Sequence, residues 1–169
     1  MTTGYIIDAL LILVVLRQVR ERQLTPSSIY LPLVLIAVAW VNYFHSFALA
    51  GNDLLLIALF TVVGVALGFF SGRTTRVWRD EQRGIVAKAG LLAASLWILG
   101  MGFRFAFVLY ANSSSGGAAI GRFSLRHDIT GAGAWTTALL LMAFGEVLAR
   151  VGYLQWRRVQ LERVSTSAS

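Results

Sequence analysis

The sequence predicts an all-α integral membrane protein: five transmembrane helices in one bundle, N-terminus outside and C-terminus cytoplasmic. Three observations predict it. The chain of 169 residues is 57% hydrophobic and only 14% charged, with a mean hydropathy of +0.69. Soluble domains hold about 45–50% apolar and about 25% charged residues, so this surface is too apolar for water. The apolar residues gather into long segments separated by short connections, and the bases fall on alternate connections.

The first span covers residues 4–19, completed at its end by Arg17 and Arg20 reaching toward headgroups. Basic residues follow its apolar run rather than precede it, which is unlike a secretory signal peptide. The second span covers 29–50, with Pro26 suited to the helix start before it. The third covers 53–71, the fourth 85–111 and the fifth 131–153. Each of these four reaches the roughly 20 residues that a bilayer core requires. Leu54 to Phe70 shows almost no polar face, unlike a helix of a soluble bundle. Without water, backbone groups must bond within each segment, so helices are expected.

Among the connections, Gly51-Asn52 reads as a turn and residues 72–84 as a polar connector. The longest, 112–130, begins with Ser113–Gly117, a flexible Ser/Gly run. Residues 1–161 form the single domain, and 162–169 read as a disordered cytoplasmic tail.

The first connection, the third connection and the C-terminus together hold twelve of the fifteen bases and five of the eight acids. The other face has Arg104, Arg122 and Arg126 against Asp8, Asp53 and Asp128. The whole formal charge of +7 therefore belongs to one side, and the positive-inside rule makes that side cytoplasmic. The expected partners are the bilayer and anionic inner-leaflet lipids, not nucleic acid, which would need a basic patch on a soluble surface. Trp78 among the arginines of residues 73–83 reads as an interfacial anchor.

Pro26-Ser27 and Leu31-Pro32 enter the second span. Gly72-Arg73-Thr74-Thr75-Arg76 ends the third, Arg104 lies late in the fourth, and Phe144-Gly145 in the last precedes further bases. In this arrangement the chain resembles the CcdC-like family, small multi-span bacterial membrane proteins built around a domain of unknown function. The resemblance implies a multi-pass protein of the bacterial cytoplasmic membrane. It implies no catalytic residues, and the family name reflects association with cytochrome c biogenesis genes. The Ser/Gly-rich outer connection departs from the family pattern.

Ionisable residues inside a membrane are costly, so each is a candidate for function. Counting helical rise from the span starts places His45 and Arg104 in the outer half. Asp8 opens the first span at that level, and Arg126, His127 and Asp128 precede the fifth. With Asn42 they form a candidate outward-facing polar cluster: Asp8, Asn42, His45, Arg104, Arg126, His127 and Asp128. A structural reading competes with it, in which Arg104 pins helices by pairing with Asp8 or Asp128. Glu146 is counted into the inner half, away from Arg104, so the two are not expected to pair. Arg150, one turn on, or Arg73 or Arg76 is the expected partner of Glu146.

Gly64, Gly68 and Gly72 form a small-residue stripe that suits close helix packing within the chain or between two copies. Cysteine is absent, and His45 and His127 are too few to specify a haem or, with Asp128, a zinc site. No cofactor and no metal are expected, and no nucleotide loop or nucleophile elbow occurs. The favoured reading is a non-enzymatic scaffold or accessory factor, tied to envelope or cytochrome assembly through the family resemblance alone. A membrane-embedded enzyme or binder using the outer cluster on a lipophilic ligand is the alternative, and a small transporter or proton relay is the third.

Overall fold

In the computed structural model the described residues are 22–23, 34, 50–80, 82 and 84–166, with side chains to 163. Apart from residues 34 and 50, the first two expected spans, and with them Asp8, Asn42 and His45, lie outside the described residues. In chain order the elements are β1 (Arg22–Gln23), α1 (Asp53–Arg73), β2 (Thr75–Asp80), β3 (Gly84–Ala89), α2 (Leu91–Ala111), α3 (Ser114–Arg126) and α4 (Ala132–Thr166). Three of the helices, α1, α2 and α4, are long and apolar enough to cross a membrane.

The chain is mainly helical, but not all-α. The polar connector and the first residues of the expected fourth span form an antiparallel hairpin, with Thr75 opposite Ala89 and Asp80 opposite Gly84. The local sequence accounts for it. Thr75-Arg-Val-Trp-Arg alternates in character, and Ile85 and Val86 are β-branched. Asp80 Oδ1 accepts the Gln82 amide at 3.0 Å to shape the turn, and Gly84 takes φ +74°. Residues 22–23 pair with β3, Arg22 opposite Ala87 and Gln23 opposite Val86, so β3 is the central strand of three. Helix α2 therefore starts at Leu91, six residues later than the start of the expected span at 85.

The Thr74-Thr75 pair closes α1. Thr74 Oγ1 donates to the carbonyls of Phe70 and Ser71, at 2.9 and 3.1 Å, and Thr75 Oγ1 donates to Ser71 at 2.8 Å. These hydroxyls satisfy carbonyls that a helix end leaves without partners.

The outer connection is also ordered. Ser113 takes extended backbone angles and its Oγ accepts the Gly116 amide at 3.0 Å, capping α3. The Ser/Gly run read as flexible is thus the first turn of a helix. At the other end, α4 continues past Leu161 to Thr166, through residues read as disordered tail.

Helices α1 and α4 run in the same direction and pack closely. A Cβ added at Gly64 would lie 2.0 Å from the Met142 carbonyl oxygen, and one at Gly68 the same distance from that of Glu146. Only glycine permits backbones to approach so closely. Helix α2 runs antiparallel to this pair, joined to α1 by Ser71 Oγ donating to the Ala93 carbonyl at 3.2 Å. Near the Asp53 end, Leu56, Ile57, Ile129, Ala134 and Ala138 form the core. Trp135 brings four helices together there: its ring centroid lies 6.0 Å from Phe60, 5.1 Å from Phe107 and 6.0 Å from Phe123. Much of the remaining surface of α1 and α2 is exposed Leu, Val and Phe. That is the inverse of a water-facing helix.

Candidate functional site

Two buried carboxylates organise the described helices. Glu146 on α4 is 3% exposed, and its Oε2 accepts from Arg104 Nη1 of α2 at 2.9 Å. This pair corrects the expectation that the two residues lie at opposite depths. Because residues 84–89 are strand, Arg104 is 13 residues from the true helix start at Leu91, not 19 from residue 85. The difference amounts to roughly 9 Å of helical rise. Side chains also lean toward the N-terminus of their own helix. In antiparallel helices Arg104 and Glu146 therefore lean toward one another.

Glycines on both sides make the room. A Cβ at Gly68 would strike the Glu146 main chain, and one at Gly100 would lie 2.7 Å from Oε2. Gly100 is four residues before Arg104 on the same face of α2. The guanidinium thus reaches back over a residue without a side chain, and the carboxylate fills the vacated space. Glu146 Oε1 is buried without a hydrogen-bond partner. Arg104 Nη2 lies 3.7 Å from Met101 Sδ.

The second carboxylate is Asp53, the first residue of α1 and 1% exposed. Its Oδ1 accepts the Thr130 amide at 2.8 Å, and its Oδ2 accepts the Thr130 hydroxyl and, at 3.4 Å, the Ala50 amide. Neighbouring residues add to this fastening. Asn52 donates its amide to the Asp128 carbonyl at 3.0 Å and its Nδ2 to the His127 carbonyl at 3.0 Å. Gly51, with φ +58°, has no room for a side chain, since its Cβ would sit 2.1 Å from the Asp128 oxygen. Asp128 itself takes φ +52°, a conformation tolerated by Asp more than by most residues. The start of α1 is therefore clamped to the turn between α3 and α4. From the sequence Asp53 reads only as one of three acids on its side. The available signal was Gly51-Asn-Asp, a turn followed by an acid at a helix N-terminus, where an anion is favoured.

Of the expected outer cluster, Arg126, His127 and Asp128 sit together at the end of α3, all exposed. His127 stacks on Phe123 with 4.1 Å between centroids and donates from Nδ1 to the Phe123 carbonyl at 3.0 Å. Arg104 is engaged elsewhere, with Glu146. A groove of about 600 Å³ lies between α2, α3 and α4, beside this turn. Phe107, Ile120, Ser124 and Trp135 line it, whereas Arg104, His127 and Asp128 do not. Trp135 Nε1 donates to Ser124 Oγ at 3.0 Å across its floor. Among the described residues, no group of three or more His, Asp or Glu side chains could hold a metal ion.

No family model, no curated protein and no solved structure matches this chain.

Proposed function

We propose that this chain is a five-span protein of the bacterial cytoplasmic membrane that acts as a non-enzymatic scaffold or accessory factor. The observation that carries the reading is how its buried carboxylates are used. Asp53 fastens α1 to Thr130, and Glu146 fastens α4 to Arg104 of α2. Each is engaged in a bond that joins two parts of the helical bundle, and neither is among the described residues lining the groove between α2, α3 and α4. The resemblance to CcdC-like proteins supplies the context of envelope or cytochrome assembly.

A deletion in the native host, complemented with variants, tests this reading, with the haem-stained c-type cytochromes of the membrane as the readout. Wild type and the charge-swapped chain Arg104→Glu, Glu146→Arg should both restore them. Restoration by wild type but not by a swapped chain that is folded and present at normal level would place chemistry at the pair. Cytochromes unchanged by the deletion would remove the assembly context.

A binding function is favoured by one feature, the groove of about 600 Å³ walled by Phe107, Ile120 and Trp135. Its walls suit a lipophilic molecule. Gly121 lines it with open space around its Cα, so Gly121→Trp would fill it. A lipophile retained by purified wild type and lost from the folded variant supports this second reading. Equal retention counts against it.

A further inference from the structure

The Arg73 end of the molecule carries a second groove, of about 640 Å³, between the hairpin and α4. Arg73, Arg76, Lys88 and Arg157 line it, with Trp78 and Tyr153. No acidic side chain is among its described lining residues. The fold itself gathers these bases. The hairpin register sets Arg76 directly opposite Lys88, so both side chains leave the same face of the sheet. Helix periodicity puts Arg157 one turn beyond Tyr153, and Arg73 ends α1.

The groove is amphipathic along the helix axis. One turn before Arg73, Phe69 and Phe70 are exposed on α1, and Phe69 meets Tyr153 edge-on at 5.4 Å between centroids. Tyr153 in turn lies 5.6 Å from Trp156, which is also exposed. Gly72 leaves the space that Tyr153 occupies, since a Cβ there would be 3.1 Å from the Tyr153 Cβ. Three arginines thus stand above an aromatic rim that opens onto the apolar flank of α1. A free phosphate would use only the upper part, whereas a phospholipid uses both.

We infer that this groove binds the phosphate of an anionic phospholipid, with Arg73, Arg76 and Arg157 around the headgroup and the chains along Phe69 and Phe70. The inference rests on the membrane-spanning reading and is independent of the scaffold role. Arginine forks match phosphate oxygens in geometry as well as charge.

Native mass spectrometry of the full chain in mixed micelles of equimolar phosphatidylglycerol and phosphatidylcholine tests it. Wild type should retain phosphatidylglycerol preferentially. Arg76→Gln with Arg157→Gln should reduce that preference roughly ten- to thirtyfold, the scale for two bases at an anionic surface. Arg122→Gln, on exposed α3 at the other end, should leave it unchanged. Arg73→Gln alone provides a second variant, reducing the preference by a smaller factor. Equal retention of the two lipids by wild type would overturn the inference, as would an equal loss in Arg122→Gln. Displacement of the lipid by millimolar glycerol 3-phosphate would overturn the lipid as source and leave a soluble phosphate in its place.

Discussion

Arg104 and Glu146 meet at 2.9 Å between two helices, in a space that Gly68 and Gly100 leave open on either side. The pair is largely shielded, with side-chain exposures of 16% and 4%. Removing one partner from such a pair leaves an uncompensated charge, at a cost of about 3–5 kcal/mol. Arg104→Leu should therefore lower the thermal unfolding midpoint in detergent strongly. Arg104→Leu combined with Glu146→Leu should recover most of the loss. A single variant as stable as wild type would show that the pair holds nothing together.

Asp53 and Thr130 make the second tie, and its two bonds can be separated. Asp53→Ala removes both bonds to Thr130 and should cost about 3–6 kcal/mol, since hydrogen bonds to a charged group are worth about 1.5–3 each. Thr130→Val keeps the amide donor and loses only the hydroxyl, so its cost should be about half as large. Chemical unfolding in mixed micelles gives the ranking, and equal stability of the two variants would contradict it.

Two glycines in the same membrane segment type should respond oppositely to the same change. Gly68→Ala drives a methyl onto the Glu146 carbonyl and should destabilise by about 1–3 kcal/mol or prevent folding. Gly102 on α2 has nothing within 4 Å of an added Cβ. Gly102→Ala should be neutral or stabilising by up to about 1 kcal/mol through helix propensity alone. Comparing the melting midpoints of the two variants checks the close approach of α1 and α4.

The absence of cysteine makes topology directly measurable. Single cysteines at Thr3 and Ser167 should label from opposite sides of intact membranes with an impermeant maleimide. Labelling of both from one side would give an even number of spans and remove the five-span arrangement.

The three long helices were legible because unbroken apolar runs admit few other structures. Ser113 and the hairpin were not, for different physical reasons. A serine before glycines suits both a flexible run and a helix cap, and the bond from the Gly116 amide to Ser113 Oγ, which the sequence does not display, makes it a cap. Ile85-Val-Ala is apolar enough to extend a membrane helix, yet Gly84 and the alternation of Thr75 to Asp80 turn it into a strand. That one boundary then shifted every depth counted from it, which is how Arg104 was assigned to the wrong neighbours. Asp53 was hidden because its partner, Thr130, is an uncharged residue 77 positions away.

The small sheet also fixes an order of events. Strand β1 is synthesised first, and its neighbour β3 emerges more than sixty residues later, after the whole of α1. The main-chain bonds between Arg22–Gln23 and Val86–Ala87 can form only once α1 has been synthesised. The sheet is thus a clasp closed during synthesis, joining two distant parts of the chain after α1 has been made and before α2 follows.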